Sequence, residues 1–131
     1  MNLELYSDRA KQAVQSAQSL ALARRHQQFA PEHLLKVLLE ERDGLARNLI
    51  TAAGGDARRA EADVETALKK RAQVTGGSGQ LYLDGDTARV FAAAEAASKA
   101  AGDAFVTTER LLAALADRKS TRLNSSHPSI S

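Results

Sequence analysis

The sequence predicts an all-α fold built from two related helical repeats, of which the second is incomplete. Alanine is abundant along the 131-residue chain, whereas Gly and Pro are confined to a few places, and this composition is typical of closely packed helices. Apolar residues recur at the i, i+3, i+4, i+7 spacing of a helix face. Two stretches, FAPEHLL at 29–35 and VTTERLL at 106–112, also follow one pattern at a separation of 77 residues.

The offset of 77 residues holds without a gap over about 34 residues, which indicates an internal repeat. Cap positions and apolar spacing agree between the two copies, although few residues are identical. We therefore expect the copies to pack about a pseudo-two-fold axis. The matched positions are Ser7 with Asp84, Val14 with Phe91, Ala17 with Ala94, Arg25 with Gly102, Phe29 with Val106, Glu32 with Glu109, and Leu34, Leu35 and Leu38 with Leu111, Leu112 and Leu115.

The first repeat, at about 5–72, contains four predicted helices. Ser7 precedes a first helix of about 16 residues and provides its N-cap. Pro31 occupies the first position of a second helix, where a missing N–H is tolerated. A third helix at 45–53 ends at a Gly-Gly pair, and Asp56 then caps a fourth. The predicted buried face of the first helix consists of Ala10, Ala13, Val14, Ala17 and Ala21.

A Gly-rich linker at 73–83 joins this repeat to a partial second repeat at 84–117, which contains only two predicted helices. The first of them ends at Gly102, which can adopt the left-handed conformation, and Thr107 caps the next. The segment 118–131 is rich in Ser and has no helical period, so we expect a disordered or artefactual tail outside the family, or one that is only incidentally helical. The predicted apolar face of the first helix consists of Val90, Phe91, Ala94 and Ala97.

Composition and motifs argue against several classes of function. The chain has no Cys, so it has neither a thiolate metal site nor a Cys nucleophile. Residues 1–117 hold 15 basic and 16 acidic residues without a basic stripe, which argues against nucleic-acid binding. No stretch suits a membrane span, and GGSGQ lacks the Lys of a phosphate-binding loop. His26 and His33 lack a third ligand and are expected to be surface or capping residues. We therefore expect a soluble chain without enzyme activity, cofactor or metal.

A protein-binding surface is the function that remains. Two packed helix pairs leave a natural shallow groove at their junction, and small side chains there suit an extended apolar peptide. Each apolar residue at the junction is either a core residue or a groove residue, and the pattern alone does not decide between them. These candidates are Val14, Val90, Phe91, Ala94 and Ala97.

Five pieces in order make residues 1–117 resemble the N-terminal domain of the Clp AAA+ chaperones, of the ClpB disaggregase type. They are YSDRAKQAVQSAQSLAL, HQQFAPEHLLKVLL, AGGD, GGSGQLYLD and AGDAFVTTERLLAAL. The resemblance implies a two-repeat, all-α domain on a mobile linker above a cytoplasmic, hexameric ATPase ring. Such a domain captures exposed apolar segments of aggregated or misfolded client proteins. ATP would be used by the ATPase modules of the parent protein and not by this chain.

The resemblance also implies which residues bind client proteins. In the family, a polar group lies at the helix junction of the second repeat. It includes a hydroxyl residue from the start of the first repeat, where this chain has Ser7 in place of the usual Thr. The remaining positions belong to the apolar groove of the family. The implied residues are Ser7, Asp103 and Glu109 in the polar group, and Phe91, Ala93, Ala97 and Arg110 in the groove.

Two alternatives stay open at this point. One is an N-domain that docks a small adaptor for a Clp protease unfoldase. The other is a non-functional fragment, because the family's second repeat has two further helices, followed by a linker and two ATPase modules. The start of the chain and the joint between its repeats favour client binding over adaptor docking.

Overall fold

The computed structural model describes residues 3–41, 44–73 and 81–126, with only the backbone described for 118–126. Helices dominate these residues, which confirms the all-α prediction, and the first repeat has its four helices. The elements are a 3-10 turn (Leu3–Leu5), α1 (Asp8–Ala23), β1 (Gln28–Phe29), α2 (Pro31–Glu40), α3 (Leu45–Ala52), α4 (Ala57–Lys69), β2 (Tyr82–Leu83), α5 (Gly85–Ala101) and α6 (Thr108–Ser126).

Local sequence signals decide where the helices begin. The Ser7 hydroxyl accepts a hydrogen bond from the backbone N–H of Ala10 at 3.2 Å, which satisfies one free donor of the first turn of α1. Asp56 caps α4 in the same way, and Pro31 is the first residue of α2. Asp84 occupies the N-cap position of α5, but its side chain makes no capping hydrogen bond. The predicted caps are thus confirmed, apart from the side-chain bond of Asp84.

The two copies end their first helix with the same left-handed turn. Gly102 has φ of 74° after α5, and Arg25, at the matching position after α1, has φ of 61°. In both copies the amide of the following residue donates to the carbonyl five residues earlier, at 2.9 Å. This hydrogen bond belongs to the Schellman motif, which satisfies carbonyls at a helix end. The turn geometry is therefore conserved between the repeats even where the residue is not Gly.

The repeats are joined by two short parallel pairings that the sequence did not predict. Tyr6 pairs with Val106, and Phe29 of β1 pairs with Leu83 of β2. Adding 77 to Tyr6 gives Leu83, and adding 77 to Phe29 gives Val106. The two pairings are therefore the same contact made twice with the roles of the copies exchanged, as the expected pseudo-two-fold axis requires.

Backbone hydrogen bonds repeat this exchange. The N–H of Ser7 donates to the carbonyl of Val106 at 2.9 Å, and the N–H of Asp84 donates to the carbonyl of Phe29 at 3.1 Å. Each donor is the N-cap residue of the first helix in its own copy, and each acceptor lies in the link between the two helices of the other copy. The start of each repeat is therefore held by the other repeat.

Both copies contribute to one hydrophobic core. The rings of Tyr6 and Phe29 both contact the ring of Phe91, with centroids 5.9 and 6.0 Å apart. The Tyr6 hydroxyl donates to Glu95 of α5 at 2.6 Å, which adds a polar contact between the copies. The buried residues of α1 are those predicted from its sequence, namely Ala10, Ala13, Val14, Ala17 and Ala21.

The buried face of α5 differs from the prediction at one end. Ala97 is exposed, and Ser98 is buried in its place. Thr87 is also buried, because its hydroxyl donates to the carbonyl of Phe29 at 2.7 Å. Small hydroxyl residues can continue an apolar stripe when the hydroxyl has a backbone partner or the site is narrow, and a division into apolar and polar types misses them.

The linker and the tail fall partly outside the described residues. Residues 74–80 of the predicted linker are not described, whereas Leu81 at its far end packs partly buried against the core, and Leu83 is exposed. The tail at 118–131 was expected to be disordered or only incidentally helical, and its residues 118–126 are helical, since α6 continues to Ser126. No Gly or Pro interrupts this stretch before Pro128. Residues 127–131 are outside the described part, and the assignment of the tail to an artefact stays a prediction.

Candidate functional site

The turn between α5 and α6 gathers the polar residues that the resemblance singled out. Ser7 reaches this turn because its N–H bonds to the carbonyl of Val106. Asp103 lies three residues before Val106, and Glu109 lies three residues after it, in the first turn of α6. A carboxylate in the first turn of a helix is stabilised by the helix dipole. The cross-repeat pairing thus brings Ser7, Asp103 and Glu109 to one end of the molecule.

Asp103 is held by an ion pair across this turn. The Arg110 side chain donates from Nε to the Asp103 carboxylate at 2.9 Å, and about a third of each side chain is accessible to solvent. The Thr107 hydroxyl accepts from the backbone N–H of Arg110 and caps α6 as predicted. The guanidinium of Arg110 thus belongs to the polar group, and the expected contribution of this residue to an apolar groove stays a prediction.

Phe91 does not belong to the exposed surface. Only 3% of the residue is accessible, because it packs against Tyr6 and Phe29 at the junction of the repeats. The expectation that Phe91 lines a client-binding groove is wrong, and the core alternative is correct. Ala93 and Ala97 are exposed on α5, about 12 and 6 Å along the helix axis from its last residue, Ala101, at a rise of 1.5 Å per residue. They share a face with each other, one helix turn apart, but not with Phe91.

The cavity at the junction of the repeats is too small for a bulky guest. It lies between the start of α1, the α2–α3 connection and the start of α6, with accessible space of about 20 Å³, which suits a single water molecule. The groove expected from Val14, Val90, Phe91 and Ala94 is closed, because all four side chains are buried in the core. The lining residues of the cavity are Arg9, Leu38, Glu41, Leu45, Ala46, Thr108 and Leu112.

Leu5 and Phe105 form an exposed apolar pair that sequence reasoning missed. They immediately precede the paired residues Tyr6 and Val106, and the carbonyl of Leu5 accepts from the Val106 N–H at 2.8 Å. Tyr6 and Val106 are buried, whereas Leu5 and Phe105 are 47% and 53% exposed. In the sequence, Leu5 directly precedes Tyr6 and Phe105 directly precedes Val106. This pattern predicts an exposed apolar surface only when the pairing of Tyr6 with Val106 is already known.

We name the surface formed by Leu5, Ser7, Asp103, Phe105 and Glu109 the turn surface. It combines two exposed apolar side chains with a hydroxyl and two carboxylates on adjacent backbone segments. Carboxylates accept hydrogen bonds from backbone N–H groups, and exposed apolar side chains favour apolar contacts. The turn surface is therefore suited to a polypeptide segment rather than to a small charged ligand.

A second, charged cleft lies among α2, α3 and α4 in the first repeat. Four of its ionic groups form two pairs: Arg47 bonds to Glu61 at 2.7 Å, and Lys36 approaches Glu65 at 3.3 Å. Hydrogen bonds from Arg24, and then from Lys36, lower the pKa of Glu65 to about 2. These pairs fasten α4 to the rest of the first repeat, and they assign the cleft a structural role.

His26 and His33 are buried rather than superficial. Their accessibilities are 4% and 0%, and His26 Nδ1 lies 2.8 Å from His33 Nε2. His33 Nδ1 accepts from the N–H of Ala30, so the expectation of a surface or capping residue is confirmed for His33. It is wrong for His26, which is buried in the turn after α1, where the neighbouring Arg24 bonds to Glu65 of α4. Within the described residues, no three potential ligands gather to form a metal site.

The described helices include none with the length and apolar character to cross a membrane. Residues 5–126 match the model of the Clp repeat (R) N-terminal domain. The chain is 55% identical over 122 residues to the chaperone protein ClpB of Mesorhizobium japonicum, covering 93% of this chain and 14% of that protein. It is 51% identical over 126 residues to ClpB of Agrobacterium fabrum, covering 96% and 14%. The chain therefore spans about one seventh of the length of these relatives.

Solved structures show the same fold at lower identity. The Hsp104 N-terminal domain of Candida albicans superposes with a TM-score of 0.80 at 20% identity, covering 89% of this chain and 77% of that one. The N-terminal domain of the E. coli ClpV1 ATPase gives 0.78 at 22% identity, covering 88% and 69%. The chain belongs to the Clp repeat (R) N-terminal domain family, as an N-terminal domain of a Clp chaperone and not an ATPase module.

Proposed function

We propose that this chain is the protein-binding N-terminal module of an ATP-dependent, ClpB-type disaggregase, and that the turn surface captures exposed apolar segments of aggregated or misfolded proteins. The observation that carries the proposal is that Leu5 and Phe105 are exposed on the same surface as the carboxylates of Asp103 and Glu109, whose oxygens can accept hydrogen bonds. The identity of 55% to a ClpB chaperone supports the assignment to this type.

The apolar pair supplies the attraction in this proposal. Full burial of a Leu or Phe side chain is worth about 1.5–3 kcal/mol, and about half of each side chain is still available here. Capture therefore gains on the order of 1 kcal/mol from each residue, which gives weak binding that releases its client readily. Weak capture suits a module that passes clients onward.

The remaining parts of the proposal concern the parent protein. The parent forms a hexameric ATPase ring in the cytoplasm, its ATPase modules use ATP, and this chain holds no cofactor. The ring of its own parent is then a second partner beside unfolded clients. The similarity of the whole chain to one end of ClpB proteins that are about seven times longer supports this arrangement.

Binding to a reduced and alkylated, permanently unfolded protein tests the proposal. We expect the double variant Leu5→Ser, Phe105→Ser to weaken this binding by about 30-fold, as the loss of roughly 2 kcal/mol requires. The matched control is Leu22→Ser, Leu49→Ser, which removes two similarly exposed apolar side chains elsewhere and should leave affinity unchanged. Equal losses in the two double variants would refute the turn surface as the binding site.

Adaptor docking is the second candidate function, and the exposed charges of Asp103 and Glu109 favour it. A docking site based on charge weakens as salt screens it, whereas apolar capture does not. The double variant Asp103→Asn, Glu109→Gln distinguishes the two functions. Client capture predicts nearly unchanged binding of the unfolded protein in this variant, because Leu5 and Phe105 are intact and the amide oxygens of Asn and Gln still accept hydrogen bonds. Adaptor docking predicts loss of a salt-sensitive folded partner, because the charges are removed. If neither binding is measurable in the unaltered chain, the fragment alternative is favoured.

A further inference from the structure

The two buried histidines of the first repeat form a hydrogen-bonded chain with a fixed direction. The backbone N–H of Ala30 donates to His33 Nδ1 at 2.9 Å, so this nitrogen carries no proton. A neutral imidazole has one N–H, which must then be at His33 Nε2. That group donates to His26 Nδ1 at 2.8 Å, so His26 carries its own proton at Nε2. Both tautomers follow from one backbone donor.

This chain of bonds has no place for an additional proton. A second proton on His33 would have to sit on Nδ1, where it would face the N–H of Ala30. A second proton on His26 would sit on Nδ1 and face the N–H of His33. In either case two donors meet, and one hydrogen bond of the chain is lost. Protonation and the closed turn therefore exclude each other.

The charges around the pair add to this exclusion. Arg24 at the end of α1 and Arg71 beyond α4 both face the imidazoles, and both disfavour a further positive charge. Their own partners are Glu65 on α4 and Glu32 on α2, at 2.7 and 3.3 Å. Burial, His26 and these arginines lower the pKa of His33 to about 4, and burial followed by the same arginines lowers the pKa of His26.

The location of the pair connects it to the junction between the repeats. His26 lies in the turn that leads into β1, and β1 holds the start of the second repeat through the bonds from Tyr82 to Gln27 and from Asp84 to Phe29. The matching turn of the second repeat leads in the same way to the pairing with Tyr6. There the residues 77 positions on are Asp103 and Arg110, which form an ion pair and include no histidine.

We propose that the His26–His33 pair is an acid-sensitive latch that holds β1 against β2, so that mild acid loosens one of the two junctions between the repeats and leaves the other closed. The latch exists in the first repeat only. Because the opened turn exposes His33 to water, protons accumulate on the open form as the pH falls below about 6.5 and continue to favour it until the pH reaches about 4. From pH 7.5 to 5.0 the opening equilibrium should rise roughly 30-fold.

Amide hydrogen exchange in the intact chain, corrected for the intrinsic pH dependence of exchange, tests the latch. We expect the protection of the Tyr82 and Asp84 amides to fall roughly 30-fold between pH 7.5 and 5.0. At the other junction the amide of Ser7 makes the bond that matches that of Asp84, and the amide of Val106 donates to the carbonyl of Leu5; these two amides serve as internal controls. Their protection should change less than about threefold. An equal fall at both junctions, or no fall at either, would overturn the proposal.

His33→Gln provides the matched variant. Gln at this third helical position can accept from the Ala30 N–H, as in a capping box, and does not titrate. We expect it to keep the amides of Tyr82 and Asp84 protected at pH 5.0. A pH response that persists in His33→Gln would show that another group is the sensor. If His33→Gln is not folded at pH 7.5 by backbone amide spectra, His33→Asn replaces it, because Asn also offers a non-titrating side-chain oxygen at this position, with the same expected loss of the pH response.

Discussion

The turn that follows the first helix has the same backbone geometry in both repeats but opposite side-chain chemistry. In the first repeat the turn is covered by α4, and its polar pair, His26 and His33, is buried and neutral. In the second repeat the pair at the same positions, Asp103 and Arg110, is charged and about one third exposed. The left-handed residue, the Schellman bond and the cross-repeat pairing fix the geometry of the turn. Whether the turn is buried or exposed to solvent decides whether neutral or charged side chains occupy it.

The largest expected effect concerns the core that the repeats share. Phe91→Ala should lower the free energy of unfolding by about 3–5 kcal/mol, because it leaves a cavity between the rings of Tyr6 and Phe29. Phe105→Ala, on the exposed turn surface, should change it by less than about 0.5 kcal/mol. Urea denaturation measures both values. Similar losses in the two variants would mean that the copies do not share one core.

The residue with positive φ after the first helix of each repeat can be tested by opposite substitutions, from Gly in one repeat and to Gly in the other. Gly102→Ala should destabilise the domain by about 1–2 kcal/mol, since φ of 74° is unfavourable for a residue with a Cβ atom. Arg25→Gly should instead raise stability, by about 0.5–1 kcal/mol, because Arg25 already bears that strain at φ of 61°. Thermal unfolding of the pair is the measurement. Effects of the same sign would show that the two turns are not equivalent.

The ion pairs that fasten α4 should make the first repeat sensitive to strong acid. The pKa of Glu65 is lowered to about 2, so its contribution to stability is present above about pH 4.5 and is lost as the pH falls toward 2. Glu65→Gln should remove this part of the acid dependence and cost about 1 kcal/mol at pH 7, because a quarter of the side chain is exposed and screened. Unfolding by urea at a series of pH values tests it, with Asp63→Asn on the same helix as the control.

The smallest expected effect compares the two N-caps. Ser7→Ala removes a side-chain bond to the N–H of Ala10 and should cost about 0.5–1 kcal/mol. Asp84→Ala should cost only a few tenths, because this side chain makes no capping bond and contributes mainly its charge near the helix start. Thermal unfolding resolves this difference. A larger cost at Asp84 than at Ser7 would contradict the assigned cap geometry.

Much of the helical architecture followed from local signals. Caps at Ser7 and Asp56, Pro31 and Gly102 set helix boundaries by backbone chemistry that acts within a few residues. The repeat predicted the symmetry because apolar spacing is preserved when identities are lost. The continuation of α6 to Ser126 was missed, since a Ser-rich segment has weak helical signals although nothing in it breaks a helix.

The candidate site was less predictable, because it depends on contacts between distant residues. Whether Phe91 faces a groove or the core is decided by the rings of Tyr6 and Phe29, more than 60 residues away in the chain. The exposure of Phe105 depends on the pairing of Tyr6 with Val106. His26 was misplaced for the same reason, since the cover provided by α4 and Arg71 is not visible in the spacing of two residues.

The exchanged pairings have a consequence for how the domain is assembled. The segment before the first helix of each repeat pairs with the segment between the two helices of the other repeat, at Tyr6 with Val106 and at Leu83 with Phe29. We call these two symmetric pairings the seams. They join the halves through contacts that do not involve the connecting peptide. Two separate polypeptides, one for each half, present the same seams. Mixed together, they should find each other as a heterodimer with a strength set by concentration, and either half alone has the complementary edges to pair with a copy of itself. A duplicated, symmetric pair of seams is what two identical ancestral halves would leave behind after their joining into one chain.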